Sequence, residues 1–115
     1  MQEDPNSSGN PTLLSGFIAY ADQAVVSKQL IKRKAGTVSL FAFDKGQSLS
    51  EHTAPFEAFV EIVDGMAEIV LNHQSHTVKT GEFMILPPGV PHAVNAIERF
   101  KMVITMIKEE VKSNP

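Results

Sequence analysis

Apolar and polar residues alternate with a period of two along most of this chain, and this pattern limits it to β-structure. In the segment Glu57–Val63, the residues Ala58, Val60 and Ile62 share one face, while both acids fall on the other. The segment Phe100–Ile107 repeats the alternation. Further β-rich runs are Thr37–Phe43, Ala67–Leu71, His76–Val78 and Phe83–Leu86. Many short strands predict an antiparallel sandwich or barrel.

Glycine and proline punctuate these runs. Gly36, Gly46, Gly65, Gly81 and Gly89 mark places where strands are expected to reverse through turns that need positive φ. Prolines 87, 88 and 91 break the chain again, since proline cannot donate to a strand ladder. These breaks keep the predicted strands short.

The amino-terminal part of the chain fits more than one structure. Phe17–Tyr20 and Val25–Ile31 are both suited to strands, and a helical turn over Ala19–Ala24 is the alternative for the first of them. With 115 residues the chain fits one domain. We therefore expect a flexible tail over 1–12, a β-barrel domain over 13–108 and a second tail over 109–115.

Charge and cysteine content exclude several classes of protein. The chain has 10 Lys and Arg against 13 Asp and Glu, which argues against nucleic-acid and anionic-membrane partners. The lack of cysteine excludes disulfides and thiolate chemistry, and it is compatible with a cytoplasmic location. No stretch has the roughly 20 apolar residues of a membrane span, and the first dozen residues lack the features of a secretory signal.

Two stretches carry a specific spacing. In the first, five residues separate Gly46 from His52, and the stretch continues to Gly65. In the second, five residues separate Gly81 from the Pro-Pro-Gly run 87–89, and two more precede His92. Together they resemble the two motifs of the cupin superfamily, over about residues 36–107. The resemblance implies an all-β fold, the antiparallel double-stranded β-helix or jelly-roll barrel of RmlC-like type.

The same resemblance implies an incomplete metal site. The positions of the four cupin metal ligands fall on His52, Ala54, Ala58 and His92, and alanine has no donor atom. Two imidazoles would hold zinc, nickel, iron or manganese only weakly, so no firm cofactor is expected. Glu57 is one residue out of register and should face the other way unless a bulge turns it inward. Glu51 and Glu61 have the same problem of parity.

The expected ligand pocket lies between the two motif histidines, which converge in the cupin barrel. We expect it to be lined by His52, Ala54, Phe56, Ala58, Val60, Met84, His92, Met102 and Met106. Two further histidines, His73 and His76, fall in a polar stretch that we interpret as a solvated hairpin loop. Tyr20, the only tyrosine, is a candidate acid without support from a motif.

These features favour a protein that binds a small organic molecule. Two enzyme alternatives stay open: a metal-dependent cupin oxygenase or isomerase, and a metal-free acid–base catalyst that uses His52 or His92. A structural or stress protein is a third possibility. We also expect a homodimer, formed through sheet edges and apolar residues near the amino terminus. Those residues are Phe17, Ile18, Val25, Val26, Leu30 and Ile31.

Overall fold

The alternating segments form antiparallel strands in the computed structural model, which describes residues 9–109. Within that range a 3-10 helix, Leu14–Gly16, precedes the eight strands. The strands are β1 (Val25–Arg33), β2 (Gly36–Phe43), β3 (Ser48–His52), β4 (Glu57–Leu71), β5 (Gln74–Lys79), β6 (Phe83–Leu86), β7 (His92–Asn95) and β8 (Phe100–Ile107). Most of the predicted tail 1–12, and nearly all of the tail 109–115, lies outside the described residues.

The strands form two sheets that share β4. One sheet has the order β1-β2-β8-β4-β6, and the other has the order β3-β7-β4-β5. The first half of β4 pairs with β6 and β8, and its second half pairs with β5 and β7. The shared strand curls the two sheets around one core, which confirms the all-β, jelly-roll architecture.

Gly65 lies inside a strand and not at a reversal, which corrects one expectation. The runs 57–63 and 67–71 are halves of a single 15-residue strand, β4. A register shift between Ile62 and Asp64 is followed by Gly65 with a φ of 79°. Here the backbone bends from one sheet into the other. A Cβ on this glycine would overlap the carbonyl oxygen of Arg99, so the bend needs glycine.

The loop predicted around His73 and His76 is shorter than expected. Asn72 and His73 alone form the turn, with φ values of 49° and 65°, and β5 begins at Gln74. Positive φ at both turn residues is typical of a type I′ hairpin. His76 therefore lies on β5, paired with Ile69, and its placement in the loop was wrong.

The amino-terminal segment is irregular where a strand or helix was predicted. The strand over Val25–Ile31 is confirmed and continues to Arg33. Phe17–Tyr20 forms no strand, and Ala19–Ala24 forms no helical turn. Instead the chain turns at Asp22-Gln23, where the Gln23 N–H donates to the Asp44 carboxylate over 2.7 Å.

This segment covers the outer face of the first sheet. Ile18 is buried against Leu40, Ala42 and Val103 in a cluster separate from the barrel core. The residues proposed for dimerisation are mostly used in this way: of the six, only Ile31 is both large and strongly exposed, at 49%. The segment's apolar side chains thus pack within the chain.

Polar contacts hold the segment in place around Tyr20. The Tyr20 hydroxyl donates to Asp64 over 2.5 Å, and the Lys101 ammonium donates to the Ser15 carbonyl over 2.6 Å. Lys101 and Arg99 also lie over the Tyr20 ring, at 4.8 and 5.0 Å from its centroid. Burial and the hydrogen bond to Asp64 raise the pKa of Tyr20, so the phenol keeps its proton.

Candidate functional site

A cavity of about 190 Å³ opens inside the barrel at the end where β3 and β7 pair. Its polar side chains are His52, His92 and Ser39. The other lining residues are apolar: Phe41, Leu49, Ala54, Phe56, Ala58, Val60, Leu86, Val94, Ile104 and Met106. Strand alternation explains this set, because inward-facing positions of β2, β4, β7 and β8 supply most of it.

The two motif histidines meet at this cavity. His52 on β3 pairs directly with His92 on β7, and their ring centroids are 4.3 Å apart at an interplanar angle of 66°. Leu49 and His52 are three positions apart on β3, so in a regular strand they would face opposite ways. A register shift between them allows both side chains to line the cavity. The expected convergence of His52 and His92 is therefore present in the fold.

Each imidazole is oriented by the carbonyl group two residues before it in the chain. Nδ1 of His52 lies 2.8 Å from the Ser50 carbonyl oxygen, and Nδ1 of His92 lies 3.2 Å from that of Val90. A carbonyl oxygen can only accept a hydrogen bond, so in the neutral rings Nδ1 carries the proton. Each Nε2 then keeps a lone pair.

The environment of His92 favours its neutral form. Burial lowers the pKa of His92, and the neighbouring His52 lowers it further, while the hydrogen bond to the Val90 carbonyl acts in the opposite direction. Among the described residues, no Lys, Arg, Asp or Glu lines the cavity. At neutral pH His92 is therefore uncharged.

This shift predicts a loss of stability in acid. A histidine whose pKa is lower in the folded state than in the unfolded chain binds a proton less readily when folded. Its contribution to the free energy of unfolding is therefore complete above its ordinary pKa of about 6.5, and this contribution is lost as the pH falls through the folded-state pKa. We expect the free energy of unfolding, from urea titrations, to fall between pH 7.5 and 5.5. His92→Gln should reduce that fall. His76→Gln, which removes an exposed imidazole on β5, is the control, and an equal effect of both variants would contradict the prediction.

Most of the predicted pocket residues line the cavity, but Met84 and Met102 do not. Across β4 and β8, Ala58 faces Met106 and Val60 faces Ile104, and all four side chains line it. Met102 faces Ile62 one layer deeper and is fully buried. Met84 lies on β6 at the edge of the sheet, where it borders a separate surface depression. Both methionines have inward parity, but Met102 lies below the cavity, and Met84, opposite Val60 on the edge strand β6, does not border it.

Sequence reasoning missed several lining residues. Ile104 lies between Met102 and Met106 in the same alternation, so its parity was a usable signal. Ser39 pairs with Ile104 across β2 and β8, and Leu49 pairs with Val94 across β3 and β7. Those contacts depend on strand pairing, which periodicity alone does not reveal.

The donor set does not fit a firmly held metal ion. Among residues 9–109, no group of three His, Asp or Glu side chains is placed to hold one. Glu57 is exposed, as its parity predicted, and the bulge in β4 lies beyond it, after Ile62. Glu51 contacts His73 over 3.2 Å and not the histidine pair. Tyr20 does not line the cavity either, since it is bound to Asp64 on the outer face.

A second hollow lies outside the cavity and shares one wall with it. It encloses about 640 Å³ and is lined by Pro55, Phe56, Glu57, Pro88, Ile107 and Glu109. Phe56 borders both spaces. The Lys108 ammonium lies 5.2 Å from the centroid of this ring. Phe56 is therefore the partition between the barrel cavity and the outer hollow.

Comparison with known proteins agrees with this architecture. Residues 39–108 match the family described as "Cupin domain". A conserved protein of unknown function from Streptococcus pyogenes is 30% identical, with 90% of each chain covered and a TM-score of 0.85. A cupin superfamily protein from Desulfitobacterium hafniense is 26% identical, with 88% of this chain and 93% of that chain covered and a TM-score of 0.84.

A more distant structure shows the fold alone. An RmlC-like cupin from Shewanella frigidimarina is 16% identical, with 75% of this chain and 78% of that chain covered and a TM-score of 0.71. Comparison with curated proteins finds no match. Within residues 9–109, no helix has the length and apolar character that crossing a bilayer requires.

Proposed function

Because this chain belongs to the cupin domain family, we propose that it binds a compact organic molecule in the barrel cavity between His52 and His92. The observation that carries the proposal is the cavity itself: an almost wholly apolar space with a pair of imidazoles at its mouth. Pockets of this kind use a few polar groups to orient an apolar ligand.

The size of the cavity limits the ligand. An engineered apolar cavity of about 150 Å³ is known to hold benzene, and this one measures about 190 Å³. A single ring with one small substituent therefore fits, while a larger molecule would have to pass Phe56 into the outer hollow. Ala54 and Ala58 contribute to this space because their side chains are small.

The enzyme alternatives have less support. A metal-dependent oxygenase or isomerase needs a third protein ligand, and the described residues place none beside the histidines. A metal-free acid–base reaction has one observation in its favour, the neutral His92 with a lone pair on Nε2. Turnover of a bound ligand, measured in wild type and lost in His92→Gln, would change the proposal from a binder to an enzyme.

A thermal-shift titration with phenol tests the binding proposal. Phenol at one hundred times its Kd should stabilise the folded protein by about 2.7 kcal/mol. Ala54→Leu fills the cavity and should abolish the shift. Ala19→Leu makes the same change at an exposed position and should retain it. A shift that persists in Ala54→Leu, or no response to any single-ring compound, would contradict binding in the cavity.

We also propose that the chain forms a homodimer, through a different surface from the one expected. Phe59 and Phe83 stack with centroids 4.9 Å apart, yet they are 36% and 57% exposed. Ile85, which is 49% exposed, lies on β6 opposite Phe59 of β4. The outer edge of β6 is open within the described part of the chain. A second copy related by a two-fold axis covers both the apolar side chains and the strand edge.

Light scattering at micromolar concentration tests this assembly. Wild type should have twice the monomer mass, and Phe83→Glu should be monomeric because it places a charge in the apolar patch. Ile97→Glu is the control, since Ile97 is 56% exposed on a loop outside the patch. A monomeric wild type, or a dimeric Phe83→Glu, would refute the proposed interface.

A further inference from the structure

We infer that the ligand of this cavity is an uncharged molecule that donates a hydrogen bond, through an O–H or N–H group, to the histidine pair. This inference rests on the proposed function and adds the chemical class of the ligand. The matching class is a compact ring with one donor, such as a phenol or a small nitrogen heterocycle. Carboxylates and phosphates are excluded from it.

The orientation of the two imidazoles carries the argument. Both histidines place Nδ1 against the carbonyl oxygen two residues earlier in the chain, Ser50 for His52 and Val90 for His92. Because each carbonyl needs a donor, each neutral ring is held as the Nδ1–H tautomer. The group left for a ligand is Nε2, which in that tautomer can only accept.

Among residues 9–109, the rest of the cavity lining contains no positively charged group that would hold an anion. The lining that these residues form contains no lysine or arginine. Its one hydroxyl group belongs to Ser39. Lys108, on the same side of the barrel, contacts Phe56 and does not line the cavity. A carboxylate placed between the histidines would meet lone pairs, and the single Ser39 hydroxyl, a neutral donor, would not replace the hydration that the charge loses.

A ligand with a donor group satisfies the site more fully than a purely apolar one. Water or a ligand must supply the hydrogen for each Nε2, since a polar atom at a cavity wall without a partner costs free energy. An apolar ring that displaces water from His92 would leave that acceptor unpaired. A ring with an O–H group fills the same space and pairs the acceptor, which makes phenol the preferred ligand over toluene.

Isothermal titration at pH 7.5 with phenol, toluene, anisole and benzoate tests the inference. Phenol should bind about tenfold more tightly than toluene or anisole, as expected for one additional hydrogen bond, and benzoate should not bind detectably. His92→Phe keeps an aromatic ring but removes one of the two acceptors, and it should reduce the preference for phenol over toluene. The double variant His52→Phe/His92→Phe removes both acceptors and should abolish the preference. His52→Phe alone, at an exposed position, should reduce the preference in the same way if the variants at His92 fail to fold.

The outcomes separate this inference from the proposed function. Equal affinities for phenol, toluene and anisole would overturn the inference and leave the cavity as a binding site. Binding of benzoate in preference to phenol would also overturn it, because the rings would then be donors. No binding of any of the four would refute the proposed function instead. Nitrogen NMR gives an independent check: a proton on Nε2 of His92 in the unliganded protein would contradict the assigned tautomer.

Discussion

Ala54→His together with Ala58→Glu is expected to give this protein a firm metal site. Both positions line the cavity beside His52 and His92, so the double variant would present three imidazoles and a carboxylate to one space. That is a sufficient donor set for zinc, nickel or iron. The metal content of the purified double variant should rise to about one ion per chain, whereas wild type should contain well below one.

The metal should also decide the stability of this double variant. Without it, the carboxylate introduced at position 58 would lie in an apolar cavity, which is costly and raises the pKa of the group. Zinc at one hundred times its Kd should raise the free energy of unfolding of the double variant by about 2.7 kcal/mol. For a domain of this size, that corresponds to roughly 10 °C in melting temperature. Removing zinc with a chelator should reverse the gain.

Thr53→His is a matched control for the metal experiment. It places a histidine four residues before the native Glu57, the same spacing as between positions 54 and 58, but one residue out of register. Because Glu57 is exposed on the other face of β4, this variant should gain no metal. Stoichiometric, chelator-resistant metal in wild type would contradict the ligand count. A folded double variant that binds none would show that positions 54 and 58 do not face His92.

Gly65→Ala is expected to be among the most destabilising single substitutions in the chain. The new Cβ would overlap the Arg99 carbonyl oxygen and lie 3.0 Å from the Phe100 Cα. Both are backbone atoms held by the pairing of β4 with β8, so neither can move aside without opening the ladder. Adding the cost of positive φ, we expect a loss of about 3–5 kcal/mol, or at least about 12 °C in melting temperature.

Gly46→Ala separates the steric effect from the conformational one. Gly46 has a φ of 88°, close to the 79° of Gly65, but a Cβ there would meet no described atom within 4 Å. Its substitution should cost only about 1–2 kcal/mol. Urea unfolding of both variants gives the difference. Equal losses would mean that β4 can shift away from Arg99 and that the bend does not depend on a close backbone approach.

Strand periodicity predicted which way side chains point, but not how far along the barrel they lie. It placed Ala58 inward and Glu57 outward, and both are found so. It could not distinguish Met106, at the cavity, from Met102, one layer deeper, because that level is set by the register between β4 and β8. Pairing between distant segments carries no local signal in a single sequence.

Gly65 and the apolar amino-terminal segment also show that a local pattern does not reveal contacts between distant segments. The need for positive φ at Gly65 was visible, but a reversal and a bend make the same local demand. Phe17 and Ile18 were recognised as apolar, yet their packing depends on an outer sheet face built from β2 and β8. The histidine pair was predictable because it rests on two motifs with fixed spacing and not on periodicity.

The pairing of β2 with β8 determines when this domain can fold during synthesis. Gly36 pairs with Ile107 and Phe43 with Phe100, so β2 keeps an open edge until β8 has left the ribosome. The first half of β4 waits for the same strand. The early β1–β2 hairpin must therefore survive that interval with unpaired N–H and C=O groups, the period when such a chain is most exposed to aggregation. Closure of the barrel consequently cannot begin from the amino-terminal strands alone. A ribosome that stalls before β8 leaves the nascent chain with two open sheet edges, one on β2 and one on the first half of β4.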